Sequence, residues 1–488
     1  MIGVVITMAE QGDLTEEKTR FIGEGDIKKV LIHLSIPAIV AMLISAIYNL
    51  TDTAFIGMLH DTSAIGAVSV AFPIFLVIAA LGQGIGVGSA SYISRCLGSK
   101  KNETANKTAS TAVTLSIIIG VLCAVFGLIF MEDILALVGA SPTIMPYAKD
   151  YSRPLIFCAV FNIINMTLNN IIRAEGGARY SMVAITIGAV LNIILDPIFI
   201  FPLGMGVRGA AIATVIGQAF STVYLVLYFT QGKSALEIHL KDFSLSKDIY
   251  EQIVKIGVPA FLMQFLASFS ISLLNNAAVA YGDAAVAATG ITIKLNTLLL
   301  YVLIGYGQGF QPVVGYNYGA KKYDRVREAI KISLIWTTAF SIISTVAFSL
   351  CAEPLTRAFS KDPEVIKVGA DFIIAVGVLR PLLGFQIVYL TLFQALGKSK
   401  QATTLAIGRQ GLFLIAAIMT LPTFFQNHID SLGIFTKILP YKLEPGLYGV
   451  IYSQFAADAL GVILTLIFAS RLKKELAQKK LAQQAIAK

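Results

Sequence analysis

Charge is the scarcest thing in this chain. Only 14% of its 488 residues are Asp, Glu, Lys or Arg, against 56% hydrophobic ones, and the mean hydropathy is +0.75. A soluble domain carries about a quarter of charged residues, so a soluble globular class is excluded. The four cysteines (Cys96, Cys123, Cys158 and Cys351) are scattered, and so are the four histidines, which leaves no disulfide framework and no zinc spacing. The opening "MIGVVITM" is too short an apolar stretch and lacks a basic lead, so no signal peptide is expected; Met1 or Met8 serves as the start. "GQGIGVG" from Gly82 lacks the Lys and Ser/Thr of a phosphate loop and lies inside an apolar run, where its glycines predict close helix packing. Without an ATP-hydrolysing motif, energy for any pumping must come from an ion gradient.

What is present is a succession of apolar runs, each long enough to cross a ~30 Å hydrocarbon core at 1.5 Å per residue. Twelve spans are expected: 31–59, 66–94, 108–131, 145–171, 180–203, 207–230, 252–281, 285–316, 328–352, 364–394, 402–426 and 446–470. Most of the 38 Lys and Arg residues fall on one side of this ladder. The other side holds few, among them Lys149, Arg153, Arg208 and Arg357, with Lys437 and Lys442 in the last outer loop. Such a bias places both termini in the cytoplasm of a multi-pass protein of the cell membrane. It also accounts for the net charge of +9 with no nucleic-acid partner. The partners are then the lipid bilayer and a small molecule, and the protein is expected to act as a monomer. The tail, 471–488, should continue the last span as a helix against anionic headgroups.

The two halves repeat each other. "IPA" at 36 returns as "VPA" at 258, "GQG" at 82 returns at 307, "GSKK" at 98 answers "GAKK" at 319, and "GVRGA" at 206 answers "GLYGV" at 446. The division expected is a cytoplasmic segment 1–27, an N-lobe 28–230, a linker 231–251, a C-lobe 252–470 and the tail. An even number of spans per repeat keeps both halves in one orientation, the plan of transporters that work by alternating access.

The "D-x-A-x-x-G" element ending span 1, "LNIILDPIFI" in span 5 and "GQGFQPVVGYNYGAKK" in span 8 resemble the multidrug and toxic compound extrusion (MATE) family over nearly the whole chain. The resemblance implies an all-α polytopic fold of twelve helices, two six-helix lobes in a V around a central cavity. It implies no enzyme and no cofactor. It implies export of cationic or amphipathic small molecules by exchange with Na⁺ or H⁺, the lobes rocking between inward and outward access.

Asp52, in "YNLTDTAFIG", is the one acid between Asp26 and Asp61. It lies about two turns (~10 Å) short of the outer end of span 1. Asp196 in span 5 and Thr214 in span 6 fall at the same depth, and Asn192 shares a helical face with Asp196. A carboxylate inside a span costs about 2.5–3.5 kcal/mol on an insertion scale and is usually a coupling or pathway residue. Structural satisfaction by Asn192 or Thr214 beside Pro197 is the plainer reading. The resemblance adds that Asp52, Asn192, Asp196 and Thr214 fall on positions used for cation binding by the DinF-like branch. They would ligate a metal only if the ion is Na⁺; a proton could use the same acids. Span 7 has no acid and span 10 only Asp371 near its outer end, so coupling is expected in the N-lobe alone.

In the second half the charges within spans are read as basic, Lys294 and Arg380. Snorkelling or carbonyl pairing would account for them. A functional role would be to line the C-lobe wall, and it leaves open an exporter or flippase of a lipid-linked or amphipathic anion. Candidate cavity walls are the polar stripes Asn162, Asn165, Asn169 with Met166 in span 4, and Gln264, Ser268, Ser272, Asn275 in span 7, together with Gln386. Phe75, Tyr301, Tyr306 and Tyr389 are weaker candidates.

Overall fold

A computed structural model describes residues 19–59, 61–428 and 444–486. The alternative starts Met1 and Met8, most of the 1–27 segment, and Lys437 and Lys442 of the last outer loop lie outside the described residues. Among the described residues there are helices and turns and no strand. Numbered along the chain, the helices of the first half are α1 (Ile27–Gly57), α2 (Thr62–Gly98), α3 (Asn102–Ile129), α4 (Met131–Leu137), α5 (Met145–Phe157), α6 (Ala159–Ala174), α7 (Ala178–Ile200) and α8 (Gly206–Thr230). The second half has α9 (Lys247–Val279), α10 (Asp283–Gly319), α11 (Tyr323–Leu350), α12 (Ala352–Arg357), α13 (Pro363–Gly377), α14 (Leu383–Ala395), α15 (Ser399–Ile407), α16 (Leu414–His428) and α17 (Pro445–Ile486). Among the described residues, ten helices are long and apolar enough to span a membrane, and two bent pairs bring the number to 12.

Both bent pairs are the fourth span of their repeat, where the apolar runs predict single rods. The α5–α6 pair bends by 50° and the α13–α14 pair by 44°. Pro154 lies inside α5 one turn before the break at Cys158, and Pro381 follows Arg380 in the short 3-10 turn between α13 and α14. Proline removes the amide hydrogen that would continue the ladder and crowds the carbonyl one turn back, so Pro381 accounts for the break at Gly377, whereas the break at Cys158 follows Pro154 by one turn. Hydropathy cannot register this, because both sides of each bend are equally apolar.

The repeat extends to backbone detail. α2 and α10 each have 37 residues, and α3 and α11 each have 28. After α2, Lys100 adopts φ +59°, and after α10, Lys321 adopts φ +60°. In each case the next amide closes the turn, from Lys101 N to Cys96 O at 2.9 Å and from Lys322 N to Asn317 O at 2.8 Å. A left-handed residue closing a helix is usually glycine, so a lysine there twice, at matching positions, marks a shared ancestral turn. The helix starts are conventional: Asp26, Asp61 and Asp362 each accept a bond from an amide of the first turn. Tail residues continue the last span without interruption, since α17 is a single helix of 42 residues.

By compactness the chain forms two units whose edges differ from the expected lobes. The first comprises Met1–Phe261, Ile304–Val326 and Gln394–Ser399, and the second comprises Leu262–Leu303, Arg327–Phe393 and Lys400–Lys488. One end of α9 and one end of α10 thus pack with the first unit. Glycines are the reason. A Cβ on Gly88 would lie 2.2 Å from the Ile253 carbonyl oxygen, and one on Gly84 3.1 Å from that of Gly257. At the ends of α2 and α10 the contact is reciprocal: a Cβ on Gly98 would come 1.9 Å from Tyr316 O, and one on Gly319 2.1 Å from Arg95 O. The "GQGIGVG" glycines are therefore helix-crossing residues. The second unit has its own core, in which Leu274, Phe372, Phe425 and Tyr452 are buried together.

Gly98→Ala should lower stability by about 1–3 kcal/mol, because the methyl group has no room against a backbone carbonyl. Gly290→Ala, at a helical glycine with nothing within 4 Å of its added Cβ, should instead gain about 0.5–1 kcal/mol. Thermal unfolding of the two purified variants in detergent distinguishes these outcomes.

Candidate functional site

α7 and α8 approach most closely at a pair of glycines. A Cβ on Gly188 would meet Gly217 O at 3.1 Å, and one on Gly217 would meet Gly188 O at 2.5 Å. Asn192 lies one turn from Gly188 on α7, and Thr214 one turn from Gly217 on α8, so the crossing delivers both side chains to one point. The Asn192 amide donates to Thr214 Oγ1 at 3.1 Å and to Asp196 Oδ1 at 3.1 Å. Asp52, on α1, brings its carboxyl within hydrogen-bonding reach of Asp196. The structure thus brings together all four residues expected at one depth. Asp196 is 0% exposed and Asn192 1% exposed.

Three oxygen atoms in this cluster are buried and receive no hydrogen bond: Asp52 Oδ1, Asn192 Oδ1 and Asp196 Oδ2. Ionised carboxyl groups only accept, so two of them side by side have nothing to share until a proton or a cation stands between them. The plainer reading, satisfaction of Asp196 by Asn192, accounts for one of its two oxygens. Two tyrosines outside the expected set complete the surround. Tyr48, one turn from Asp52 on α1, lines the same cavity as Thr214, and Tyr151 of α5 lies in the electrostatic reach of both acids. Helical spacing from Asp52 is the sequence signal for Tyr48; Tyr151 has none, because its position depends on the bend at the end of α5. Toward the expected outer end, Ile56, Ile200, Val207 and Ala210 close over the cluster as an apolar plug.

On its other side the cluster borders a chamber of about 150 Å³. Tyr48, Asn192 and Thr214 line one end, and Asn165, Asn169 and Arg173 line the other. A hydrogen-bonded ladder runs along it: Asn165 donates to Ser221 Oγ at 2.8 Å, Asn169 to Asn165 Oδ1 at 2.9 Å, Ser181 to Asn169 Oδ1 at 2.7 Å, and Arg173 to Ser181 Oγ at 2.8 Å. Asn165, Asn169 and Met166 thus line this chamber, whereas Asn162 is buried apart from it. Arg173, counted by sequence as an inner-loop charge, is a buried member of the ladder.

The second unit differs more from expectation. Lys294 is exposed. Arg380 is 2% exposed, donates to Asn296 Oδ1 at 2.6 Å and lies over the Phe348 ring at 5.5 Å. The expectation that Lys294 and Arg380 are the charges within second-half spans is corrected by a buried ion pair. Arg409 Nε donates to Asp458 Oδ1 at 2.7 Å, with only 16% and 4% of the two side chains exposed. Gln454 donates to the same carboxylate oxygen at 3.1 Å, and the Gln386 amide donates to the Asp458 backbone carbonyl at 2.7 Å. Arg409 belongs to a π-helical turn, Gly408–Phe413, that joins α15 to α16. Arg409 lies inside the expected span 11 and Asp458 inside span 12, and Asp458 is the same kind of signal as Asp52: a lone acid in an apolar run. Gln264, Ser268 and Asn275 are only half-buried on α9, and Ser268 Oγ donates back to Gln264 O at 3.1 Å. The Tyr389 ring lies tilted against Phe385 at 4.9 Å and Phe393 at 6.1 Å, a packing arrangement. Among the described residues there is no group of three or more His, Cys, Asp and Glu that could hold a metal ion, so a cation at the Asp52 cluster would rely on amide and hydroxyl oxygens.

The comparisons with known proteins agree along the whole chain. The MatE family profile matches residues 37–198 and 259–419, one match to each repeat. The multidrug export protein MepA of Staphylococcus haemolyticus is 30% identical over 464 residues, covering 95% of this chain and 98% of that protein. MepA of Staphylococcus aureus strain MSSA476 is 28% identical over the same shares. Among solved structures, the outward-facing conformation of a multidrug resistance MATE family transporter is 26% identical with a TM-score of 0.85, covering 94% of this chain and 98% of that one. A MOP superfamily transporter from Pyrococcus furiosus, whose binding pocket is described as reversed in polarity, is 27% identical with a TM-score of 0.83, covering 94% and 99%. With both repeats matched by the profile, the chain belongs to the MatE family, that of the multidrug and toxic compound extrusion transporters.

Proposed function

We propose that the protein exports cationic or amphipathic small molecules by antiport with Na⁺ or H⁺, and that the Asp52–Asn192–Asp196–Thr214 cluster is its coupling site. The observation that carries this reading is the trio of buried oxygens without a donor, gathered around two facing carboxyl groups. Alternating access supplies the cycle. With the cluster open to the outside, an external cation enters between the carboxyl groups and cancels their charge. A cationic substrate held by that charge is then released outward. After the return, the ion leaves to the cytoplasm and the restored charge recruits the next substrate. Coupling needs only that ion and substrate have opposed affinities for the same states. The chamber beside the cluster supports a polar route between the site and the opposite end of the N-lobe. Its walls carry amides and hydroxyls beside Met42, Met166 and Ile185, with Arg173 the one charged group, so the attraction for a cation comes from the acids beyond Asn192 and Thr214.

The asymmetry of the halves supports confining coupling to the N-lobe and fits the DinF-like branch. In the second half, the buried Asp458 is paired with Arg409, so its charge is already answered. The reading of an anionic amphipath as substrate rests on Arg380, whose Nε and Nη1 find no acceptor; export of an anionic dye lost in Arg380→Gln but retained in Asp52→Asn would favour it.

Asp52→Asn should abolish efflux of a fluorescent cation from proteoliposomes while leaving the protein folded in the membrane. Driving the same assay separately with a Na⁺ gradient and a pH gradient identifies the ion. Full transport by Asp52→Asn would remove the cluster from the mechanism. Asp458→Asn should behave differently. Leaving the Arg409 charge buried and unpaired costs about 3–5 kcal/mol, so it should lower the melting temperature and the yield, and Arg409→Met combined with Asp458→Leu should recover much of both.

A further inference from the structure

The second unit contains a cavity of about 730 Å³ between the start of α11 and the part of α17 beyond its apolar run. Its polar rim is cationic. Arg327 and Lys331, one turn apart on α11, face Lys473 of α17, and no acidic residue lines the cavity. None of the three cations has an ion-pair partner among the described residues, whereas Lys479, farther along α17, pairs with Glu475 at 3.1 Å. The remaining wall is mostly aliphatic, with Leu334 and Ile335 on one side and Leu472 and Leu476 on the other, and Tyr389 of α14 completes it. Ile335 is 56% exposed, and Ile463, Leu466 and Ile467 continue an exposed apolar face along α17.

We propose that this cavity holds the headgroup of one anionic phospholipid, with its acyl chains along the exposed face of α11 and α17. The position fits, resting on the orientation read from the positive-inside bias. Arg327 and Lys331 lie within about three turns of the inner end of α11, the depth at which basic side chains reach inner-leaflet phosphates. A cationic substrate is repelled by three unpaired cations, and a soluble anion has no use for an aliphatic wall. The cavity joins the two chemistries in the order that a lipid presents them. Attraction of juxtamembrane Lys and Arg to an anionic leaflet corresponds, for three residues, to a preference on the order of 100-fold.

Native mass spectrometry of the full chain, released from nanodiscs of mixed phosphatidylcholine and phosphatidylglycerol, reads this directly. The wild type should keep one phosphatidylglycerol in preference to phosphatidylcholine. The variant Arg327→Gln/Lys331→Gln/Lys473→Gln should lose that preference by on the order of 100-fold. The charge control is Lys400→Gln/Arg471→Gln/Lys474→Gln, which removes the same charge outside the cavity and should keep the lipid. Ala477→Trp, which fills the groove and leaves every cation in place, should also lose it. Retention by the first variant, or equal loss by the control, would overturn the proposal. So would displacement of the lipid by glycerol phosphate, which would make the cavity a site for soluble anions.

Discussion

A carboxylate within a hydrocarbon layer costs a few kcal/mol unless something in the protein answers its charge, and the placement of acids along this chain follows that constraint. Asp26, Asp61 and Asp362 stand at helix starts, where free amides donate to them. Asp458 lies deep within a span and is met by Arg409 and Gln454. Asp52 and Asp196 have neither arrangement. Each is the other's neighbour, and the Asn192 amide is the donor that reaches one of the four oxygens. A pair of like-charged groups so placed is held in position by the helices that carry it, which makes the crossing at Gly188 and Gly217 as much a part of the site as the acids.

Close helix approach is the second consequence of the same medium. Water does not drive helices together inside a bilayer, so contact depends on surfaces that can meet without side chains between them. The chain supplies glycines at such places: Gly84 and Gly88 against α9, Gly98 and Gly319 at the reciprocal ends of α2 and α10, Gly188 and Gly217 between α7 and α8. The first two sets tie parts of α9 and α10 to the first unit, which is why compact units and sequence repeats do not share their boundaries. Repeat and packing answer to different pressures: the repeat records duplication, while the units record where backbones can touch.

How much of this the sequence discloses depends on the range of the interaction. Depth along a span follows from a fixed rise per residue, so Asp52, Asn192, Asp196 and Thr214 can be brought to one level without any knowledge of packing. The repeated turn after α2 and α10 is visible as "GSKK" and "GAKK", although a left-handed lysine in each is not. Features that depend on which faces meet are out of reach. The Arg409–Asp458 pair joins residues 49 positions apart on separate helices, so no local pattern in the sequence pairs them. Tyr151 lies near the acids from α5, the first half of a span that bends by 50°, and apolar runs carry no sign of a bend.

The duplicated halves have diverged most in how they treat charge. By the offset of the repeats, Asp52 falls near Leu274 and Asn275 of the second half, and Asp196 near Thr420 and Leu421. The second half's own buried charges include Asp371 and Arg380 on the fourth span and Asp458 on the sixth, the last paired with the half-buried Arg409 of the fifth, where the first half carries the asparagine ladder and its cavity. An ion pair is costly to disrupt and exchanges little with a passing cation, whereas facing carboxyl groups with free oxygens change charge whenever an ion or proton arrives. One half is thereby suited to hold its charges fixed and the other to let them vary. Under the antiport proposed above, the exchange needs a variable charge at one place, and a second such place in the other half would add to the ions moved without a separate substrate to couple them to.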